Sequence, residues 1–322
     1  MEISVRLAAL VVAGMAIAAT AHAQAEFPSR PITIILPASP GATSDLIARA
    51  LSAPLRARLG QPIIVEAKPG GGGSVASEYT ARAAPDGYTI YLAGGSIVSG
   101  PIFLKNTQAD PIKDFVPIFR FTQWPFVLSV PKQLGVKNMG EFVALVKKNP
   151  KKFNYGVVPN SPMQLDIMNL MTASGLDIVE VPFQGAAPIV QAALAQDIQL
   201  SFSAYSSIAA HVKEGNLVPL AVTGSARSEI APDIPTFKEA TGVDVAITSW
   251  YGFVAPAKTP QPIVDRLYAA LKASVAEPDV QKLLRDSGLE RVESSPQEMA
   301  ATLAHDAKLY GDIARKAGIQ PQ

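Results

Sequence analysis

The sequence predicts an α/β protein in which strands alternate with helices and parallel strands form doubly wound sheets. The first observation is an Ile-rich run over residues 32–36 that leads through a Pro/Ser/Gly loop into an amphipathic pattern over 44–59. The second is that this order of strand, loop and helix recurs along most of the chain. The third is length, because 322 residues exceed one ordinary hydrophobic core and indicate two domains.

The later elements follow from the same two periodicities. Short apolar and β-branched runs between Gly, Pro or Asn predict strands at 63–66, 88–93, 126–130, 154–158, 178–182, 198–202, 218–223 and 249–255, with a short one at 290–292. Apolar residues at a spacing of three to four predict helices near 75–84, 139–148, 163–174, 186–195, 207–214, 260–276, 278–287 and 296–317. Gly60 and Pro62 end the helix over 44–59, and Pro85-Asp86-Gly87 is a turn before the strand at 88–93.

The domain organisation follows from where strands stop. Beyond residue 255 three helices follow with little strand pattern between them, which indicates that the chain end packs back on the first domain. We therefore expect residues 24–127 and 247–322 to form domain 1, and residues 128–246 to form an inserted domain 2. Crossings near 124–130 and 248–255 would be the hinge. Trp124, Phe126, Trp250 and Tyr251 flank these crossings, where they favour packing, although one ring could face a ligand.

The first 23 residues have the pattern of a secretory signal peptide. Arg6 supplies the positive charge, residues 7–19 are small and apolar, and Ala21-His22-Ala23 is a small-x-small cleavage site. The apolar run is shorter than the roughly 20 residues of a membrane anchor, which is the alternative reading. We expect cleavage after Ala23 and export to the periplasm. The absence of Cys excludes disulfides and thiolate chemistry, and a formal net charge of +1 with scattered Lys and Arg disfavours nucleic acid as a partner.

The loop before the first helix is the most informative segment. A strand that runs through a tight loop into a helix points unpaired N–H groups and the positive end of the helix dipole at one spot, which suits an anion. Gly41 permits positive φ, and Thr43 or Ser44 is the expected N-cap. Asp45 either complements the helix dipole or has a functional role, in which it orients the loop or contacts a donor on the ligand. The predicted contacts are Ser39, Pro40, Gly41, Ala42, Thr43, Ser44 and Asp45.

Two further strand-to-helix junctions lie in the predicted domain 2. One follows the strand at 154–158 and the other follows the strand at 178–182. Because ligands bind at the carboxyl ends of parallel strands, we expect both junctions to face the first loop across a cleft. The predicted ligand contacts at these two junctions are Val158, Asn160, Ser161, Met163, Gly185, Ala186 and Ala187. Gly94, which follows the strand at 88–93 in domain 1, is a further predicted contact.

The sequence offers little catalytic equipment. The run from Gly70 to Gly73 is followed by Ser74 without a lysine, so it is not a P-loop, and no dinucleotide fingerprint follows the first strand. His211 and His305 stand alone, and no metal-ligand spacing or nucleophile elbow is present. We expect no catalytic residue, no cofactor and no metal. A hydrolase built on two spatially paired carboxylates stays open as an alternative, because such pairing is not visible in sequence.

Six motifs in order resemble the substrate-binding receptors of tripartite tricarboxylate transporters, the Bug-type periplasmic receptors. They are Pro37-Ala-Ser-Pro-Gly-Ala-Thr-Ser-Asp45, Glu66-Ala-Lys-Pro-Gly-Gly-Gly-Gly-Ser74, Ala84-Pro-Asp-Gly-Tyr-Thr89, Val181-Pro-Phe-Gln-Gly-Ala-Ala-Pro188, Leu220-Ala-Val-Thr223 with Pro232-Asp-Ile-Pro-Thr236, and Trp250-Tyr-Gly-Phe-Val-Ala-Pro256. The resemblance implies a type II periplasmic-binding-protein fold, with two doubly wound lobes joined by a two-crossing hinge. It further implies a small carboxylate held largely by backbone groups, membrane permease subunits as partners and, we expect, a monomer.

The resemblance is weakest at residues 156–164. That segment reads Gly-Val-Val-Pro-Asn-Ser-Pro-Met-Gln, whereas the family has a Gly/Ser/Thr-rich loop with a His shortly after. The bulkier side chains would narrow or dry that half of the cleft. The expected function is a transport receptor. A sensor subunit that presents the same fold to a membrane kinase is the first alternative, and an exported hydrolase is the second.

Overall fold

The computed structural model describes residues 27–105 and 107–321. The predicted signal peptide, residues 1–23, lies outside these residues. Within the described ranges, the helices are all too short or too polar to cross a membrane.

The first lobe is built on a six-stranded sheet. Its strands are β1 (Ile32–Leu36), β2 (Ile63–Ala67), β3 (Thr89–Gly94), β4 (Phe115–Pro125), β10 (Thr248–Pro256) and β11 (Glu290–Arg291). They lie in the order β11-β4-β10-β3-β1-β2. Strands β1 to β3 are parallel, and β10 is antiparallel to both β3 and β4.

The second lobe contains a three-stranded sheet and a two-stranded sheet. The first has the order β8-β5-β9 and is antiparallel, while β6 and β7 pair in parallel and a bridge from Tyr155 to Leu200 brings them beside β8. The strands are β5 (Val127–Pro131), β6 (Asn154–Val157), β7 (Val179–Pro182), β8 (Ser201–Ser203) and β9 (Leu217–Val222).

Helices cover both faces of these sheets. The first lobe has α1 (Thr43–Leu59), α2 (Ser74–Ala81), α3 (Ser96–Phe103), α9 (Gln261–Val275), α10 (Pro278–Asp286) and α11 (Pro296–Ala317). The second lobe has α4 (Met139–Lys148), α5 (Pro162–Ser174), α6 (Ala186–Leu194), α7 (Tyr205–Lys213) and α8 (Phe237–Thr241). Buried apolar clusters lie on each face of both lobes, as expected for doubly wound layers.

The sequence predicts parallel strands, whereas the sheets contain antiparallel pairs as well. Strand β4 runs toward the second lobe and β10 returns from it, so the two crossing strands run in opposite directions and pair antiparallel. Strand β4, helix α3 and helix α8 were also missed by the sequence patterns. Pro117 and Arg120 interrupt the strand signal of β4, and Gly100 and Pro101 do the same for the helix signal of α3.

Thr223 ties the two crossings together. Its hydroxyl accepts a hydrogen bond from the Phe126 amide at 2.9 Å and donates to the Ile247 carbonyl at 2.7 Å. The Thr223 backbone repeats the connection, since its amide donates to Phe126 and its carbonyl accepts from Ile247. Phe126 lies between β4 and β5, where the chain passes from one sheet to the other. The limits of the two domains, 24–127 with 247–322 and 128–246, stay a prediction.

Candidate ligand-binding site

A cleft between the lobes consists of two adjoining cavities. Their volumes are about 450 Å³ and about 410 Å³. The residues common to both linings are Gly95, Trp124, Pro162, Ser249, Trp250 and Tyr251. We call the first cavity the amide half; its other lining residues are Pro37, Ala38, Ser39, Ser44, Pro69, Gly70, Gly72, Gly73, Gly94 and Ser96. We call the second the apolar half; its other lining residues are Phe126, Val158, Ser161, Met163, Asp166, Ala186, Thr248 and Tyr310.

The N-terminus of α1 presents backbone donors to the amide half. The N-cap is Ala42, in extended conformation and without a side-chain cap, so the expectation of Thr43 or Ser44 was wrong by one or two residues. The helix begins earlier because the turn closes at once, with the Ala42 amide donating to the Ser39 carbonyl at 3.2 Å. Within the described chain, the amides of Thr43 and Ser44 donate to no protein acceptor. They are therefore available to an anion.

Asp45 shapes this loop from behind rather than lining the cavity. Its carboxylate accepts from the Gly41 amide at 3.0 Å and pairs with Arg49 at 3.0 Å, and the residue is 3% exposed. The hydrogen bond from Arg49, followed by that from Gly41, lowers the pKa of Asp45 below its usual value. Gly41 has φ of 86°, in the left-handed region that glycine tolerates. Asp45 thus orients the loop, which was one of the roles expected for it.

Two more helix N-termini of the first lobe reach the same cavity. The run from Gly70 to Gly73 forms a turn before α2, and three of its four glycines line the amide half. Helix α3 starts after Gly95 without a side-chain cap, and Gly95 and Ser96 line the cavity. A Cβ on Gly94 would lie 3.1 Å from the Trp250 carbonyl oxygen, so this position needs glycine for β3 to pair with β10.

The second lobe contributes α5 and α6. Ser161 caps α5, because its hydroxyl accepts from the Gln164 amide at 3.3 Å and donates to the Val158 carbonyl at 2.6 Å. Pro162 has no N–H, so the Met163 amide is the first free donor of that helix. Helix α6 starts after Gly185 with no side-chain cap, and its first residue, Ala186, lines the apolar half.

The positive potential of the cleft comes from the backbone. Among the described residues, neither half is lined by Lys, Arg or His. Five helix N-termini supply partial positive charge instead. No group of three or more His, Asp or Glu residues suited to a metal occurs in residues 27–105 and 107–321. The arrangement can hold and orient a small anion.

One acid lies at the floor of the apolar half. Asp166, on α5, is 6% exposed, and its Oδ2 accepts a hydrogen bond from the Tyr310 hydroxyl of α11 at 3.3 Å. Burial, with a smaller contribution from Asp306, raises the pKa of Asp166 to about 8. Burial also raises the pKa of Asp306, although the Trp250 indole N–H donates to it at 2.9 Å.

The structure brings together about half of the residues that the sequence singles out. Ser39, Ser44 and Gly94 line the amide half, and Val158, Ser161, Met163 and Ala186 line the apolar half. Pro40, Gly41, Ala42, Thr43, Asp45, Gly185 and Ala187 belong to the same loops and helix starts but lie outside both linings. Asn160 lines a separate cavity of about 550 Å³ near the last described residues. Its backbone amide donates a hydrogen bond to the side-chain oxygen of Gln164 at 2.9 Å. Whether these residues touch a ligand stays a prediction.

Sequence reasoning missed other lining residues. Gly95, Ser96 and Pro162 lie at helix starts. The sequence indicates the start at Pro162, because proline is typical of the first helical position, but it gives no such indication for α3. Trp124, Trp250 and Tyr251 follow from the crossings, and the centroids of the Trp124 and Tyr251 rings are 4.8 Å apart. Asp166 could have been found as a lone acid between Leu165 and Ile167, which are both buried.

A two-lobed α/β fold with such a cleft defines the class of solute-binding proteins. Comparison with known families specifies it further. Residues 47–319 match the family described as the tripartite tricarboxylate transporter family receptor. The chain belongs to this family.

Relatives and solved structures agree. A UPF0065 protein encoded in the gbd 5′ region of Cupriavidus necator is 33% identical over 315 residues, which are 97% of this chain and 95% of that protein. An R. palustris protein solved with adipate has a TM-score of 0.78 at 28% identity, covering 92% of this chain and all of that one. MatC from Rhodopseudomonas palustris, solved with bound malate, has a TM-score of 0.73 at 28% identity and covers 89% of this chain and 100% of its own.

These findings confirm three expectations from the sequence. The family is the one that the six motifs resemble. The fold is that of a periplasmic binding protein with two lobes. The family and its structural neighbours are solute-binding proteins, so the expectation of a receptor rather than an enzyme is confirmed as well.

Proposed function

We propose that this protein captures a small carboxylate in the inter-lobe cleft and delivers it to the membrane subunits of a tripartite tricarboxylate-type transporter. The observation that carries the proposal is the convergence of five helix N-termini from both lobes on a cleft that residues 27–105 and 107–321 line without a cationic side chain. Such donors suit a carboxylate, which is planar and accepts several hydrogen bonds at once. Adipate and malate in the two solved neighbours are both carboxylates, which supports the same ligand class here.

The strength of these contacts fits a transport receptor. A hydrogen bond to a charged group contributes about 1.5–3 kcal/mol, and a helix terminus adds about 0.3–2 kcal/mol. Four or five such contacts support micromolar affinity, about 8 kcal/mol, after the costs of ordering and association. Affinity in that range allows both capture and release.

The remaining parts of the proposal concern the cell. Membership of a family of periplasmic receptors supports export, with cleavage after Ala23, and the family description supports the transporter as partner. We further propose that the protein is a monomer that contacts its permease transiently. The mass of the secreted protein should equal that of residues 24–322, and light scattering should give one copy. Uncleaved protein, or a stable dimer, would contradict these two statements.

The ligand class is tested by thermal unfolding of the mature protein with a panel of acids. The panel is butanoate, benzoate, malate, adipate, 5-aminopentanoate and 4-(aminomethyl)benzoate, with phosphate and glucose as controls. A binder present at 100 times its dissociation constant should add about 2.7 kcal/mol to the free energy of unfolding. A shift with phosphate or glucose and with none of the acids would refute the proposal.

A further inference from the structure

The apolar half differs from the amide half in having a buried carboxyl group, that of Asp166, and two further aromatic side chains, Phe126 and Tyr310. Five aromatic residues line it: Trp124, Phe126, Trp250, Tyr251 and Tyr310. Asp166 is the one charged side chain that the described part of the chain places against either half. A buried carboxyl beside aromatic rings is a combination that attracts a cation, because ring faces are electronegative.

Asp166 has hydrogen-bonding capacity left over. The Tyr310 hydroxyl reaches Oδ2 at 3.3 Å, which is long for an O–H donor, and Oδ1 accepts no hydrogen bond from residues 27–105 or 107–321. Oδ1 of this largely buried carboxyl, which is 6% exposed as a residue, is therefore free to accept a hydrogen bond from a ligand. That ligand can come from the apolar half, which Asp166 lines.

The charges around Asp166 also favour a cation. A smaller cavity behind the cleft, about 370 Å³, is lined by Asp166 and by Asp306, Glu298 and His305 of α11 and Arg120 of β4. Apart from Asp166 itself, the carboxyl groups of Asp306 and Glu298 outnumber the Arg120 guanidinium and disfavour a second carboxylate at this end of the ligand. Arg120 lies in the rear cavity and does not line the cleft.

We propose that the ligand is a zwitterion, an amino carboxylic acid whose carboxylate lies in the amide half and whose ammonium group lies beside Asp166. This inference rests on the proposed function and makes Asp166 the residue that determines specificity. At pH 7 the unliganded carboxyl is mostly protonated, because its pKa is raised to about 8. The arriving ammonium stabilises the carboxylate, so the carboxyl proton leaves to the buffer as the ion pair forms.

Matched ligands test the proposal by calorimetric titration of the mature protein. The pairs are 5-aminopentanoate with hexanoate, and 4-(aminomethyl)benzoate with 4-ethylbenzoate, which share a carboxylate and a length and differ in the terminal group. We expect the amine of at least one pair to bind tenfold or more tightly than its apolar partner. In Asp166→Asn that preference should disappear, while affinity for the apolar partner changes less than threefold. Equal affinities in the unaltered protein, or a preference that persists in Asp166→Asn, would overturn the proposal.

Proton release gives a second readout that needs no variant. Titration in buffers of different ionisation enthalpy should show close to one proton released per amine bound at pH 7, and about 0.1 at pH 9. The apolar partners should release none. Amine binding without proton release at pH 7 overturns the assignment to Asp166. If no acid of the panel binds, the proposed function itself fails; if carboxylates bind without a preference for the amine, only the present inference fails.

Discussion

The two halves of the cleft use different atoms to face a ligand. In the amide half, glycines, short side chains and helix N-termini present main-chain N–H groups, and the flanking acid, Asp45, is turned away into an ion pair with Arg49. In the apolar half, the lining is Val158, Met163 and aromatic rings, with Asp166 at the floor.

The difference separates two tasks. Main-chain donors recognise a carboxylate whatever it is attached to, so we propose that the amide half sets the ligand class. Side chains differ in size, polarity and charge, so we propose that the apolar half selects within that class. A receptor of this design can change its ligand through side chains of the apolar half while the loop before α1 stays as it is.

The largest expected effect comes from adding negative charge to the amide half. Ser39→Asp places a carboxylate at the lining and should weaken carboxylate binding about 100-fold, or about 2.7 kcal/mol, by like-charge repulsion. The neutral Ser39→Asn is the matched control and should lose less than tenfold. Titration calorimetry measures both. Equal losses in the two variants would mean that charge in this half does not govern binding.

The next effect concerns the contact between the two lobes. Gly95 of α3 faces Pro162 of α5, and a Cβ at Gly95 would lie 3.1 Å from the proline ring. Gly95→Val should therefore keep the lobes apart and weaken binding about tenfold. Small-angle scattering should show a smaller ligand-induced compaction than in the unaltered protein. Gly100→Ala, where a Cβ meets nothing nearer than 4.0 Å, is the control and should behave as the unaltered protein.

The hinge that joins the two lobes should be destabilised by Thr223→Val. The variant leaves the Phe126 amide without its hydroxyl acceptor and the Ile247 carbonyl without a donor, so the free energy of unfolding should fall by about 2 kcal/mol. Urea unfolding measures the loss. Thr80→Val is a matched control, because that buried hydroxyl donates only to a carbonyl of its own helix. An equal loss in both variants would remove the special role of Thr223.

The last effect is the pH dependence of stability that comes from Asp166 at the floor of the apolar half. The folded pKa of Asp166 is raised to about 8, so the folded state binds more protons than the unfolded state between about pH 4 and pH 8. The contribution of Asp166 to the free energy of unfolding is therefore fully present below about pH 4, and it is lost as the pH rises through about 8. Between pH 5 and pH 8.5, the unaltered protein should lose at least about 1 kcal/mol more than Asp166→Asn. Parallel pH profiles would contradict the raised pKa.

The sequence predicts the scaffold better than the lining. Elements with one clear periodicity, such as α4, α11 and β1, have the bounds that their patterns indicate. Strand β4 escapes because Pro and Arg break its alternation, and α3 escapes because its packing, rather than its composition, makes it a helix. The residue pattern of a strand does not indicate its direction relative to its neighbours. Only the structure shows that β10 is antiparallel to β3 and β4.

The candidate site divides in the same way. The anion loop was visible because strand, glycine loop and helix are contiguous in sequence. The floor was not, since Asp166 and Tyr310 are 144 positions apart and meet only when α5 packs against α11. Charged residues that act through such contacts cannot be read from one segment.

The most direct test of the account is a structure of the mature protein with the panel acid that binds most tightly. We predict that its carboxylate oxygens lie within about 3.2 Å of main-chain amides at the starts of α1 and α3, among them Ser44 and Ser96. A carboxylate held by a Lys or Arg side chain, or bound outside the two halves of the cleft, would contradict it.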